Sequence, residues 1–284
     1  MKILLFFALV LFITKSCGQI SNNRDEEYNK LSLQDSIKVI AYMDSISKAP
    51  LYSNRRQRYL DSALSIIPRA AELWQQKAMP LFKQKKYELG MDYLDNAVKY
   101  DRTNHYLEYR AFIKCIFQKS YKEAIVDFDL ATKQNGNSVV MDHSYGFYKG
   151  LCYLQLNKLD SAQYFFIKDI NEDKNRLGES WIHPLLYFYI GIVQYEKELY
   201  SQSIESFNNC LEKYSQFSDA QFYKALCLEQ QGNTKQALEL LIMAQENLRL
   251  GYTINEDNSV YEMYPYQINK YSIEAYIDYL KQKK

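Results

Sequence analysis

Residues 71–101 read AELWQQKAMPLFKQKKYELGMDYLDNAVKYD. The spacing predicts two short amphipathic helices joined by a tight turn. Trp74, Ala78 and Leu81 share a face of the first helix, Tyr87 opens the second, and Gly90 and Ala97 flank bulky Leu94. Helices cross closely only where the contact residues are small, so the stretch reads as a hairpin of tightly packed helices. One such hairpin cannot bury its own apolar face and has to recur. It does. The small residues Ala78, Gly90 and Ala97 are separated by 12 and then 7 positions, as are Gly191, Ser203 and Cys210, and Ala225, Ala237 and Ala244. Gly150, Ala162 and Asp169 keep the spacing with an acid in the last place, and Ala111, Ala124 and Ala131 keep it with one residue added. Leu94, Phe128, Phe166, Phe207 and Leu241 stand three before the last small residue, and Tyr87, Tyr121, Leu159, Tyr200 and Thr234 fill the turn position. The last positions follow one another at 34, 38, 41 and 34 residues.

This pattern resembles the tetratricopeptide repeat (TPR) family over roughly residues 33–250. The resemblance implies an all-α fold: a right-handed superhelical solenoid of antiparallel helix pairs with a concave inner face. About five repeats are expected, with a degenerate pair before them and a capping helix after them. Members of the family mostly bind peptides or proteins, so the resemblance implies a binding scaffold and leaves its partner open.

The N-terminus, MKILLFFALVLFITKSCGQ, reads as an export signal: Lys2 is followed by an apolar run from Ile3 to Ile13. Eleven residues fall short of the ~20 needed to cross a bilayer. Two processing routes stay open. Cys17, after Thr14-Lys15-Ser16, resembles a bacterial lipoprotein cleavage site; alternatively Ser16 and Gly18 serve an ordinary signal peptidase. The lipoprotein route is preferred, which places the chain, lipid-anchored, in the envelope of a Gram-negative bacterium. The organisation then reads as residues 1–17 signal and lipidation site, 18–32 flexible tether, 33–250 repeats, and 251–284 an irregular segment with a capping helix. Loss of Lys2 and Lys15 turns the net charge from +1 to −1.

Four local features refine the pass along the chain. Pro80 inside the first helix of its pair predicts a kink or an early helix end. The polar stretch 171–180, NEDKNRLGES, reads as an exposed loop. Ser218 and Asp219 read as caps of the helix they open. Residues 251–267 lose the period, and a helix resumes with Ile273, Tyr276, Ile277 and Leu280 on one face.

No catalytic chemistry is legible. Basic and acidic residues balance at 35 and 34, against a nucleic-acid partner. No Gly-rich phosphate loop or Gly-x-Ser-x-Gly motif occurs. Asp127 and Asp129 point to different sides of one helix. His105, His143 and His183 lack a second ligand at metal spacing on a helix face, so neither a metal nor another cofactor is expected. Cys115, Cys152, Cys210 and Cys227 each fall inside a repeat helix and read as unpaired core residues.

In TPR solenoids the first helix of each pair lines the groove, and the resemblance places there Gln75, Met79 and Phe82; Glu108, Phe112 and Cys115; Phe147, Leu151 and Leu154; Phe188, Ile192 and Tyr195; and Phe222, Leu226 and Glu229. The Lys, Arg and Asn clamp that some family members use for carboxylate-ended peptides is absent from these places. The partner-binding set is therefore Met79, Phe82, Phe112, Phe147, Leu151, Leu154, Phe188, Ile192, Tyr195 and Phe222. Large apolar patches mark interfaces, and a partner helix or apolar peptide fits such a groove. Self-filling by residues 251–266 is the competing reading. A different class stays open too: a surface glycan- or small-molecule-binding protein using Trp181, Tyr261, Tyr264 and Tyr266.

Overall fold

Small residues determine where these helices cross. In the computed structural model, which describes residues 28–101 and 105–283, every small residue of the 12-and-7 pattern is buried, Asp169 included. The bulky residues between them, Leu94, Phe128, Phe166, Phe207 and Leu241, are fully enclosed. Gly150 and Gly191 show why: a Cβ there would stand 2.5 Å from a ring carbon of Phe166 and 2.6 Å from one of Phe207. Each glycine is the socket for the aromatic ring of the partner helix.

The described residues hold thirteen α-helices and a two-residue β-ribbon. They are α1 (Leu33–Lys48), α2 (Asn54–Ile66), α3 (Ala71–Lys83), α4 (Tyr87–Tyr100), α5 (Tyr106–Ile116), α6 (Tyr121–Asn135), α7 (Tyr145–Gln155), α8 (Leu159–Leu177), α9 (Pro184–Glu196), α10 (Tyr200–Lys213), α11 (Ser218–Gln230), α12 (Thr234–Arg249) and α13 (Lys270–Gln282). Antiparallel β1 (Val139–Val140) and β2 (His143–Ser144) lie between α6 and α7. Consecutive helices pack in pairs. This is the all-α architecture that the repeat implies.

The turns inside the pairs are alike. Lys85, Asn157, Glu198 and Gly232 adopt positive φ two residues before the second helix. Each closes a Schellman motif, as when Lys86 N–H donates to Leu81 O at 2.9 Å and Lys85 N–H to Phe82 O at 2.9 Å. Only Gly232 takes this conformation without the Cβ penalty of about 1–2 kcal/mol.

The chain forms two compact units, one up to Arg110 and one from Ala111. In the first, α1 to α3 enclose Val39, Ile46, Leu60, Ala63, Leu64, Ile67 and Leu73. The expected tether is ordered at its end: Tyr28 packs on this core and donates to Glu72 Oε1 at 3.2 Å, and Ser32 Oγ caps α1 by accepting from Asp35 N–H at 3.1 Å. The signal segment, Cys17 and residues 18–27 lie outside the described residues. Helix α3 runs through Pro80 to Lys83, so the early end expected there does not occur.

The second unit corrects two further expectations. Residues 171–177 are the last turns of α8, not a loop; their helix-forming polar side chains extend it until Gly178, at φ +93°, stops it. Asp169 replaces a small residue because it has partners: its carboxylate accepts from Asn137 Nδ2 at 2.9 Å and from Ser144 Oγ, fixing the loop before α7. Asp127 and Asp129 do face different ways, toward Lys114 at 2.7 Å and Lys149 at 2.6 Å. The four described cysteines are free and buried. Among the described residues no helix is long and apolar enough to cross a membrane.

Candidate functional site

In the second unit the first helices of successive pairs, α7, α9 and α11, lie side by side. Their common face is covered by the chain's own irregular segment, residues 251–269, which connects α12 to α13 and is called the strap below. Its Ile254, Tyr264 and Ile268 are buried.

The face holds the strap mostly by its main chain. Lys119 Nζ donates to Met263 O at 2.8 Å, and Tyr189 Oη to Pro265 O at 3.0 Å. Ser218 N–H donates to Tyr252 O at 2.8 Å. Asp219 takes both ends of the strap on one carboxylate: Oδ2 accepts from Thr253 Oγ1 at 2.7 Å and Ile254 N–H at 3.2 Å, and Oδ1 accepts from Ile268 N–H at 2.8 Å. Asp219 is fully enclosed, and burial raises its pKa to about 6, against the pull of these donors. Ser218 and Asp219 therefore do not cap α11, and no side chain does: Asp219 points into the strap, and Ser218 Oγ donates to Asp219 Oδ2 at 3.4 Å. Gln267 closes the strap on itself, accepting from Tyr264 N–H at 3.0 Å and donating to Ile254 O at 3.2 Å. Beyond the strap, Ile273, Ile277 and Leu280 of α13 complete the core over α12, and Lys283 pairs with buried Glu229.

The structure places the sequence-predicted set inside the molecule rather than along an open apolar groove. Phe82, Phe112, Phe147, Leu151, Leu154, Phe188, Ile192 and Phe222 are buried, while Met79 and Tyr195 are partly buried. Phe147 packs on Phe166, Phe188 on Phe207 and Phe217, and Phe222 on Tyr276. The residues that reach the strap are often their neighbours in sequence. Tyr189 bonds it, and the ring of Tyr223 lies 5.8 Å from that of Tyr266. In each Phe-Tyr doublet both rings are apolar enough for the core, so periodicity does not say which one turns to the face. At Tyr189 the hydroxyl decides, because it finds its partner in the strap's Pro265 carbonyl. Among the glycan-reading aromatics, Trp181 is exposed, Tyr261 and Tyr266 are partly buried and Tyr264 is buried, so they do not form one open platform.

A second polar cluster lies under the strap. His143 of β2, His183 at the start of α9 and Glu256 of the strap bring ligand-capable atoms within 4.8 Å of one another. His143 Nε2 stands 3.1 Å from Glu256 Oε2. His183 keeps one side exposed, yet the protein packed around it pushes it down to about 4, helped by adjacent His143 and opposed by Glu256. Burial works to raise Glu256, but His143, His183 and Asp142 outweigh it and hold the carboxyl below its usual range. Burial and the adjacent Glu256 raise Asp142. Sequence spacing missed this cluster because its three members sit on three separate segments; no local signal joins them.

No family model matches the sequence, and no curated protein sequence does. Solved structures do match. A tetratricopeptide repeat protein from Parabacteroides merdae shares 15% identity and a TM-score of 0.58, over 88% of this chain and 100% of its own. PilW, a widely conserved type IV pilus biogenesis factor, shares 13% at TM-score 0.56, over 77% of this chain and 96% of its own. PilF of Pseudomonas aeruginosa shares 16% at 0.53, over 81% and 97%. At these identities the likeness establishes the fold: this chain has the TPR architecture.

Proposed function

We propose that the protein is a non-enzymatic protein-binding scaffold, held by a lipid on Cys17 in the envelope of a Gram-negative bacterium, and that it receives an extended partner segment on the face shared by α7, α9 and α11. One observation carries this reading: that face already holds a peptide, its own strap, by contacts to main-chain carbonyls and amides from Lys119, Tyr189 and Asp219. Main-chain recognition is indifferent to side chains and serves a partner segment equally well. The middle of the strap is its least buried part, with Val260 79% and Met263 46% exposed. A partner segment exchanges with this middle while Asp219 retains the ends. The buried members of the predicted set, from Phe147 to Phe222, form the stiff wall behind the face, and a stiff wall limits the entropic cost of association. Partly buried Tyr195 is an apolar contact within a partner's reach. Near-zero net charge speaks against nucleic acid as partner. The apolar N-terminus and Cys17 support the envelope setting, and the fold likeness to a pilus biogenesis factor agrees with it.

The test is crosslinking in intact cell envelopes with mass-spectrometric readout. Asp219→Ala, which frees the strap, is expected to raise capture of a protein crosslinked near Lys119 and Tyr189. Cys17→Ser is expected to move the protein from the membrane fraction to the soluble one. Capture that is indifferent to strap release rejects the face as the docking site; unchanged membrane retention of Cys17→Ser rejects the anchor.

A further inference from the structure

The cluster under the strap gathers two imidazoles and a carboxylate from three separate segments. His143 is 94% buried, yet its Nε2 makes no aligned hydrogen bond, although Glu256 Oε2 is only 3.1 Å away. With Glu256 as a charged neighbour but no aligned hydrogen bond, this buried atom calls for an explanation. The ring is not free to turn away from it: it stacks on Phe147 at 3.9 Å between centroids and meets His183 edge-on at 4.9 Å.

We infer that His143, His183 and Glu256 bind a single divalent transition-metal ion of the zinc type. Two imidazole nitrogens and a carboxylate oxygen are a donor set that zinc accepts, with a fourth position left for water. Donors about 2.0–2.2 Å from one tetrahedral ion stand roughly 3.4 Å apart. The 3.1 Å between His143 and Glu256 is close to that separation, and the whole set, within 4.8 Å, closes with about 1.4 Å of movement or less. His183 is the member able to move. It is solvent-exposed on one side, which also provides the entry path. Its Nδ1 accepts one long bond, from Leu185 N–H at 3.3 Å. The bound ion joins the β-ribbon, the start of α9 and the strap, and so fixes the strap at a point between the two ends that Asp219 holds. This inference stands apart from the docking reading and is tested without a partner.

The detergent-solubilised full chain, stripped with EDTA, is titrated with zinc chloride by calorimetry. One zinc per chain is expected, with no saturable binding of magnesium. His183→Asn keeps the helix cap, since Asn is a favoured N-cap, and Glu256→Gln keeps shape; each is expected to weaken zinc binding at least about tenfold. X-ray absorption of the bound zinc is expected to report nitrogen and oxygen neighbours with imidazole scattering. Absence of saturable zinc binding by the natural sequence, unchanged affinity in both variants, or sulfur in the zinc shell each overturns the assignment. Circular dichroism that matches the natural chain secures the folded state of each variant.

Discussion

Replacing Asp219 by Ala should free the strap while leaving the helix pairs intact. The carboxylate accepts from the amides of Ile254 and Ile268 and from the Thr253 hydroxyl, all at 2.7–3.2 Å. Ala leaves two backbone N–H groups without that acceptor at opposite ends of the strap. An orphaned buried donor costs about 1–3 kcal/mol. At about 1.4 kcal/mol per decade, protection of these amides against deuterium exchange should fall by about 5- to 150-fold. The assay is exchange resolved at Ile254 and Ile268, with amides of α10, such as Cys210, as internal reference. Unchanged protection at Ile254 and Ile268 would refute the clamp. So would an equal loss across α10, because the substitution would then be unfolding the unit rather than releasing a segment.

Three other outcomes are expected. The folded pKa of Asp219 lies near 6, above the ordinary 3.8, so the folded state holds its proton more tightly than the unfolded chain. Its contribution to stability is therefore full below about pH 4 and is lost as pH rises to about 6, by roughly 3 kcal/mol; urea unfolding of the natural chain against Asp219→Asn should show that difference in slope, and parallel curves would exclude it. Gly191→Ala puts a methyl 2.6 Å from the Phe207 ring and should cost about 1–3 kcal/mol in the same assay, where an unchanged midpoint would show that the socket is loose. Tyr189→Phe removes the bond to Pro265 O and should cost about 1 kcal/mol with its ring packing on Phe147 and Phe166 kept, read as faster exchange in the strap than in α9.

The helix pairs were legible because close packing leaves a local record. A ring such as Phe207 needs a residue as small as Gly191 opposite it, and both lie within one repeat, so the 12-and-7 spacing states the contact directly. The strap leaves no such record. It has no period because its hydrogen bonds go to side chains on other elements, and Asp219, which holds both its ends, looks in sequence like an ordinary helix cap. The turn of Tyr189 rather than Phe188 toward the strap depends on where a carbonyl stands after folding. The gathering of His143, His183 and Glu256, 40 and 73 residues apart, depends on the same event. The sequence by itself thus determined where the helices pair and which residues are small at each crossing, since those are nearest-neighbour constraints, while the true ends of α3 and α8 were not among them. Only the tertiary structure decided what covers the face those pairs present, because one face, filled from far along the chain, is a property of the assembled repeats and not of any one of them.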